Sequence, residues 1–340
     1  MLNSKSHFEL NRVFMKLFIL SSVSLFAPFT YADQAAQGFA LQRFYSSAAG
    51  AGWLVMDALD MHGDWGAAIQ LTNDYAKNPL TLSGLTVVSA QDYINLGVAV
   101  TYQRYRLYLD IPSPAYIKGN SGSAAGYSYN APSVDWAAEP DTISDLRIGF
   151  DARIFGEFNS PFRMGLGGQV YLASGPNPEG NRADYDSDAG NRAMFRLLAA
   201  GDQGQFTYAA QVGIHLRSLN DYPTPGSPEG NEFLLGVAAG IKLSVGAQGQ
   251  SLIAGIETYE STAFQHLFYA SASAIEALIS CRYEAAPQDN RQFKFKLGAG
   301  PGINPQFGAA EWRAVLAVEL AGWISHANDS HPTVTVSKDH

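Results

Sequence analysis

Between Asp145 and Phe155 every second residue is apolar: Leu146, Ile148, Phe150, Ala152 and Ile154 alternate with Asp145, Arg147, Gly149, Asp151 and Arg153. A period of two is the signature of a strand, because successive side chains point to opposite faces. Charges on one face and grease on the other suit a sheet with lipid on one side and a wet interior on the other. The pattern recurs. Phe206, Tyr208, Ala210, Val212, Ile214 and Leu216 alternate with Thr207, Gln211, Gly213, His215 and Arg217. Phe293, Phe295 and Leu297 alternate with Lys294, Lys296 and Gly298, and Trp312, Ala314, Leu316 and Val318 share a strand with Arg313 and Glu319. Residues 105–111, 163–172, 233–243 and 275–283 behave alike.

The spacing predicts an all-β, closed antiparallel transmembrane barrel of about 14 strands (roughly 12–16). Connections from residue 103 onward alternate in length, as expected when short turns lie on one side of a membrane and long loops on the other. Residues 112–142, 174–192, 218–231 and 260–272 read as long; 156–162, 201–204 and 244–250 read as short. The first third is less regular, with strands expected at 65–75 and 81–89. Aromatic residues gather toward strand ends (Tyr102, Tyr105, Phe155, Phe162, Phe206, Tyr259, Tyr283, Trp312, Trp323), as interface girdles require.

Residues 1–32 read as a secretory signal, with Lys5, Arg12 and Lys16 ahead of an apolar run from Leu17 to Phe29 and a Thr30-Tyr31-Ala32 cleavage site. Met15 is a plausible alternative start. A periplasmic segment is expected over 33–50, the barrel over 51–323, and a flexible tail over 324–340. Beyond residue 32 no apolar run reaches the ~18 residues of a spanning helix, which leaves a barrel or a soluble exported β-sandwich. The composition, rich in glycine (33) with only 16% charged residues, favours strands and turns. The net charge of −9 becomes more negative once Lys5, Arg12, Lys16 and Glu9 are removed, which disfavours nucleic acid as a partner. The lone Cys281 excludes an intramolecular disulfide and reads as an apolar-face residue.

The inward face supplies the candidate site. Expected to line the lumen are Arg104, Arg106, Asp145, Arg147, Asp151, Arg153, Arg163, Gln169, Gln211, His215, Arg217, Lys242, Glu257, Glu276, Arg282, Lys294, Lys296, Arg313 and Glu319. Such a mixed-charge set can line a water-filled pore or close a narrow one by ion pairing. Inward glycines (Gly149, Gly165, Gly167, Gly213, Gly236, Gly240, Gly255, Gly298) leave space or let inner groups pack closely.

The motifs Gln42-Arg43-Phe44-Tyr45-Ser46, Asp74-Tyr75-Ala76, Asn78-Pro79-Leu80 and Ser144-Asp145-Leu146-Arg147 carry a family resemblance, as do Gly298-Ala299-Gly300-Pro301-Gly302, Asn304-Pro305-Gln306-Phe307-Gly308 and Glu311-Trp312-Arg313. Over residues 38–323 the chain resembles the barrel portion of OmpA-family outer-membrane proteins of delta-proteobacterial type. It departs from them after Trp323, where no peptidoglycan-binding domain follows. In size and pattern it is also similar to the fatty-acid and aromatic-hydrocarbon transporter group, which implies passage of small hydrophobic solutes.

No Gly-x-Ser-x-Gly elbow or His-Glu-x-x-His pair is present, so no catalytic residues and no cofactor are assigned. His215 with Ser280 is the one conceivable hydrolase pair. Asp184-Tyr185-Asp186-Ser187-Asp188-Ala189-Gly190 begins like a calcium loop, but the glycine is one place late and position 12 is Phe195, so no metal site is assigned. The expected protein is a passive porin-like barrel in the outer membrane of a Gram-negative bacterium, or a structural barrel with a plugged lumen. Its partners would be the bilayer, lipopolysaccharide and the barrel-assembly machinery.

Overall fold

The structure, a computed structural model, describes residues 34–36, 38–61, 64–124, 126–138, 143–173, 184–188, 190–217, 219, 230–245, 249–304 and 308–324. Twelve strands form the wall: β1 (Trp65–Leu82), β2 (Leu85–Tyr102), β3 (Tyr105–Gly119), β4 (Leu146–Phe155), β5 (Arg163–Leu172), β6 (Arg192–Gln203), β7 (Phe206–Leu216), β8 (Glu232–Val245), β9 (Gln250–Ala263), β10 (Ser273–Glu284), β11 (Arg291–Asn304) and β12 (Trp312–Ile324). Each pairs antiparallel with the next, and β12 closes onto β1 with Leu316 opposite Asn73. The ring has no free edge, so the backbone of every wall strand is satisfied between strands. One short outside strand, Ser133–Asp135, pairs with the upper part of β3. Closure of one sheet onto itself rules out the two-layered sandwich.

The wall has fewer strands than the central expectation because the first hairpin is longer. The segments expected at 65–75 and 81–89 are parts of two 18-residue strands joined at Ser83-Gly84. Both turn residues have positive φ (48° and 86°), the geometry that matches the twist of a two-residue hairpin. Likewise the expected loop over 112–142 begins later, since β3 runs on to Gly119.

Outward residues form an apolar belt: Leu107, Phe150, Leu166, Val237, Ile256, Ile279, Leu297 and Leu316 are all exposed. Cys281 also lies on this face, between Ala254 and Leu297 of the neighbouring strands. Aromatic pairs mark the rims, with Trp65 against Tyr102 (4.7 Å) at one end and Tyr75 against Trp312 (5.0 Å) at the other. Tyr259 does not belong to a girdle. Its side chain points inward, is buried, and donates to Glu276 at 2.6 Å. A closed antiparallel barrel with an apolar belt is the strand-built solution to crossing a bilayer, and the protein is an outer-membrane β-barrel.

Short connections (103–104, 204–205, 285–290) cluster at one mouth, here the turn mouth. The connections that follow β3, β5, β7, β9 and β11 cluster at the opposite loop mouth. The segments expected as a secretory signal and a C-terminal tail, 1–32 and 325–340, lie outside the described residues.

Candidate functional site: an occupied lumen

Of the segment expected in the periplasm over 33–50, residues 38–50 lie inside the barrel, and residues 51–61, expected to belong to the barrel, continue there as part of the same plug. Residues 38–61 enter at the loop mouth, where the Ala36 amide donates to Ser128 and Leu41 to Tyr185 (2.8 and 3.1 Å), and reach the turn mouth before β1 begins. Phe39, Leu41, Phe44, Trp53, Leu54, Met56, Leu59 and Met61 are all buried. The segment folds on itself midway: Ser47 donates to Leu54 O (2.8 Å) and Ala58 to Ala51 O (2.8 Å).

Apolar contact explains part of its hold. Trp53, Leu54, Met56 and Leu59 pack with the inward residues Leu198, Ala209, Ala238, Ile253 and Leu278. The wall glycines act as sockets for these side chains. A Cβ at Gly298 would lie 2.4 Å from Leu54 Cδ1, and one at Gly236 would lie 2.3 Å from Met56 Cε. At both Gly240 and Gly255 a Cβ would fall 2.9 Å from the Trp53 ring. All four approaches are closer than real Cβ contacts allow, so these wall positions and the plug are shaped to each other.

Charge-assisted bonds supply the rest. The Glu257 carboxylate accepts backbone N–H groups from Leu54 (3.0 Å), Val55 (2.8 Å) and Met56 (3.3 Å). Arg153 donates to Leu59 O (3.0 Å) and Met61 O (2.7 Å), and Arg163 Nε to Ala58 O (3.1 Å). Arg106 binds Asp57 and Gly50 O, and Glu319 accepts from Gly50 N. Plug residue Arg43 pairs with Glu232 at 2.8 Å. Buried polar groups with partners of this kind are satisfied, and left unpartnered they would be costly.

The wall charges also pair with one another. Arg313 bridges Asp74 and Glu276 (2.7 Å each), Arg147 binds Asp110 (2.9 Å), and Arg196 binds Asp151 (2.9 Å). Lys294 and Lys296 share Glu319 (3.0 and 2.8 Å), and Arg282 pairs with Glu284 (2.9 Å). At the loop mouth Arg217 joins Asp188 to Glu232, and Arg192 pairs with Asp145 (2.9 Å). Burial pushes Asp188 up, yet Arg217 and Arg192 outweigh it and hold the carboxyl below the usual range. Asp186 forms no ion pair among the described residues; burial, then Asp184 and Asp145, raise it to about 8 against the weaker pull of Arg192.

Most of the sequence-predicted lumen residues are thus gathered in the interior. Gln169 is buried, and half-buried Gln211 lies at 3.4 Å from Arg196. Arg104 and Lys242 are exceptions: Arg104 sits exposed in the turn after β2, 3.9 Å from Glu157, because the strand alternation stops at Tyr102. Lys242 has inward parity but lies exposed at the turn mouth. Sequence reasoning missed Arg192 and Arg196, and the plug residues Arg43 and Asp57. On β6 the inward face also carries Met194, Leu198 and Ala200, so grease on both faces hid the alternation.

The calcium-like loop does not converge. Asp184 accepts from Ser133 N (3.0 Å) while Asp188 accepts from Ala40 N (2.7 Å). Residue 189 lies outside the described residues, and among the described residues no three His, Cys, Asp or Glu groups are placed to hold a metal. His215 contacts Tyr45 and Glu232, and Ser280 is on β10, three strands from β7.

No family model matches the chain, and no curated protein does. Solved structures with a similar course are outer-membrane barrels. The NanC porin is 6% identical, with a TM-score of 0.44, covering 75% of this chain and all of that one. An outer membrane channel from Pseudomonas putida F1 is 12% identical (TM-score 0.46; 76% of this chain, 95% of that one). The β domain of the Bordetella autotransporter BrkA is 10% identical (TM-score 0.40; 77% and 100%). None of these matches assigns the chain to the OmpA family.

Proposed function

We propose that this protein is a passive, non-enzymatic transport barrel of the outer membrane, held shut at rest by its own residues 38–61. The observation that carries this reading is the manner of attachment. The plug is joined to the wall covalently only through the residues before β1, and otherwise through side-chain bonds from Glu257, Arg153, Arg163, Arg106 and Glu232. The wall strands bond to one another independently of it, so the ring can persist while the plug shifts. The cavities are consistent with closure: about 30 Å³ at the loop mouth beside Tyr45 and Asp145, about 50 Å³ beside Ala49 and Lys294, and about 280 Å³ at the turn mouth. The first two have room for no more than a few waters.

A structural barrel that never opens is the alternative, favoured by how fully the plug's polar groups are satisfied. Planar-bilayer recording separates the two. The full chain is expected to be mostly silent and a variant lacking residues 38–61 to conduct. A folded deletion variant that stays silent would refute transport. Bilayer lipid, lipopolysaccharide and the assembly machinery complete the proposed partners, and the OmpA-type strand motifs support the same barrel role.

A further inference from the structure

The charges inside the barrel are sorted along its axis, and the plug matches the sorting. In the half nearer the turn mouth the wall presents Arg106, Arg153, Arg163, Lys242, Lys294 and Lys296. Against them stand Asp110, Asp151, Asp202 and Glu319, with Arg282 and Glu284 cancelling each other, Arg196 near the middle, and Glu257 beside that level committed to plug amides. Cations are therefore in excess there. In the half nearer the loop mouth the excess reverses: Asp74, Asp145, Asp188, Glu232 and Glu276 outnumber Arg147, Arg192, Arg217 and Arg313. The plug answers each half with the opposite sign. Arg43 sits in the acidic half on Glu232, and Asp57 and Asp60 sit in the basic half, Asp57 on Arg106 and Asp60 at 3.4 Å from Arg163.

We infer that the turn-mouth half of the lumen is a chamber for a small anionic solute bearing two acidic groups, whose place Asp57 and Asp60 hold in the closed barrel. This rests on the transport reading above. Three arginines of β3–β5 meet plug oxygens: the Asp57 and Asp60 carboxylates and the carbonyls of Gly50, Ala58, Leu59 and Met61. Planar guanidinium groups are suited to carboxylate or phosphate oxygens in this arrangement. Once the plug moves, Arg106 and Arg196 share the single carboxylate of Asp151, and Arg153 has no wall carboxylate among its bonds. The adjoining mouth cavity of about 280 Å³, lined by Asp60, Asp202, Lys242, Arg282 and Lys294, is large enough for such a solute to enter.

The test uses the full chain carrying Asp57→Asn and Asp60→Asn, which weakens the plug's ionic hold and leaves every wall residue in place. Heat-modifiable gel mobility confirms a folded barrel. If the double variant does not fold, the variant lacking residues 38–61 takes its place. Channel openings should become more frequent than in the parent. The reversal potential in a KCl gradient should move toward that of chloride, and succinate on the turn-mouth side should block the current while ethylenediamine does not. A conducting variant that selects cations, or is blocked equally by both probes, overturns the anion chamber and leaves transport standing. A folded variant with no conductance overturns both.

Discussion

Glu257 is the sharpest point at which to test the plug. Its side chain is fully buried, and its two oxygens receive three backbone N–H groups from Leu54, Val55 and Met56 at 2.8–3.3 Å. Glu257→Gln keeps the shape but removes the charge and replaces one acceptor oxygen with a donor. At least one amide loses its partner and faces an NH₂ group, and the rest lose charge assistance. Hydrogen bonds to a charged group contribute about 1.5–3 kcal/mol each, and an orphaned buried donor costs about 1–3 kcal/mol, so the plug should lose about 2–4 kcal/mol of its hold. That corresponds to roughly a 30- to 1,000-fold rise in the population of the displaced plug. The wall has no backbone bond through this side chain, so the barrel itself should remain folded. Limited proteolysis of bilayer-inserted protein reads the displaced state as cleavage within 38–61, and single-channel recording reads it as openings. Unchanged cleavage together with unchanged opening frequency in Glu257→Gln would refute the claim that this carboxylate holds the plug.

Three further outcomes follow from other parts of the molecule. Asp186 is raised to about 8 from 3.8, so its contribution to stability is greatest below pH ~4 and is lost as the pH rises toward 8. Asp186→Asn should therefore melt at the same temperature as the parent at low pH and higher than it at pH ~9, and a gap that shrinks with pH would contradict this. Gly255→Val drives a side chain into the Trp53 ring and should cost about 1–3 kcal/mol, seen as a lowered unfolding midpoint that Trp53→Ala partly restores. Leu297→Arg places a charge on the lipid face at mid-strand, opposite Leu316, and should destabilise the barrel in vesicles by about 2–4 kcal/mol. The equivalent change at exposed, rim-located Arg104 to Leu should leave the midpoint unchanged.

The wall was readable from sequence because each residue there answers to only two environments, lipid or interior. Ile148 and Phe150 against Arg147 and Asp151 is enough to orient β4, and a period of two carries that choice along every such strand. The signal weakens where the interior is itself apolar. On β6, Leu198 and Ala200 face the plug, so neither Arg192 nor Arg196 stood out as inward. The plug was not readable for a related reason. Residues 38–61 have no period of their own: their course is set by partners more than a hundred residues away, as when Val55 meets Glu257 and Ala40 meets Asp188. The run of glycines on the wall was the one local hint, since Gly236, Gly255 and Gly298 leave hollows that some other part of the chain had to fill.

The position of residues 38–61 ahead of β1 constrains the order of construction. The last seam to form, between β12 and β1, joins the two ends of the wall around material that was delivered before either. A ring already sealed would have to admit that stretch lengthwise past buried ion pairs. The simpler sequence of events lets the sheet curl around it, using Glu257 and the arginines of β3–β5 as early grips. Maturation would then end with the plug enclosed and Ala36 bonded at the loop mouth.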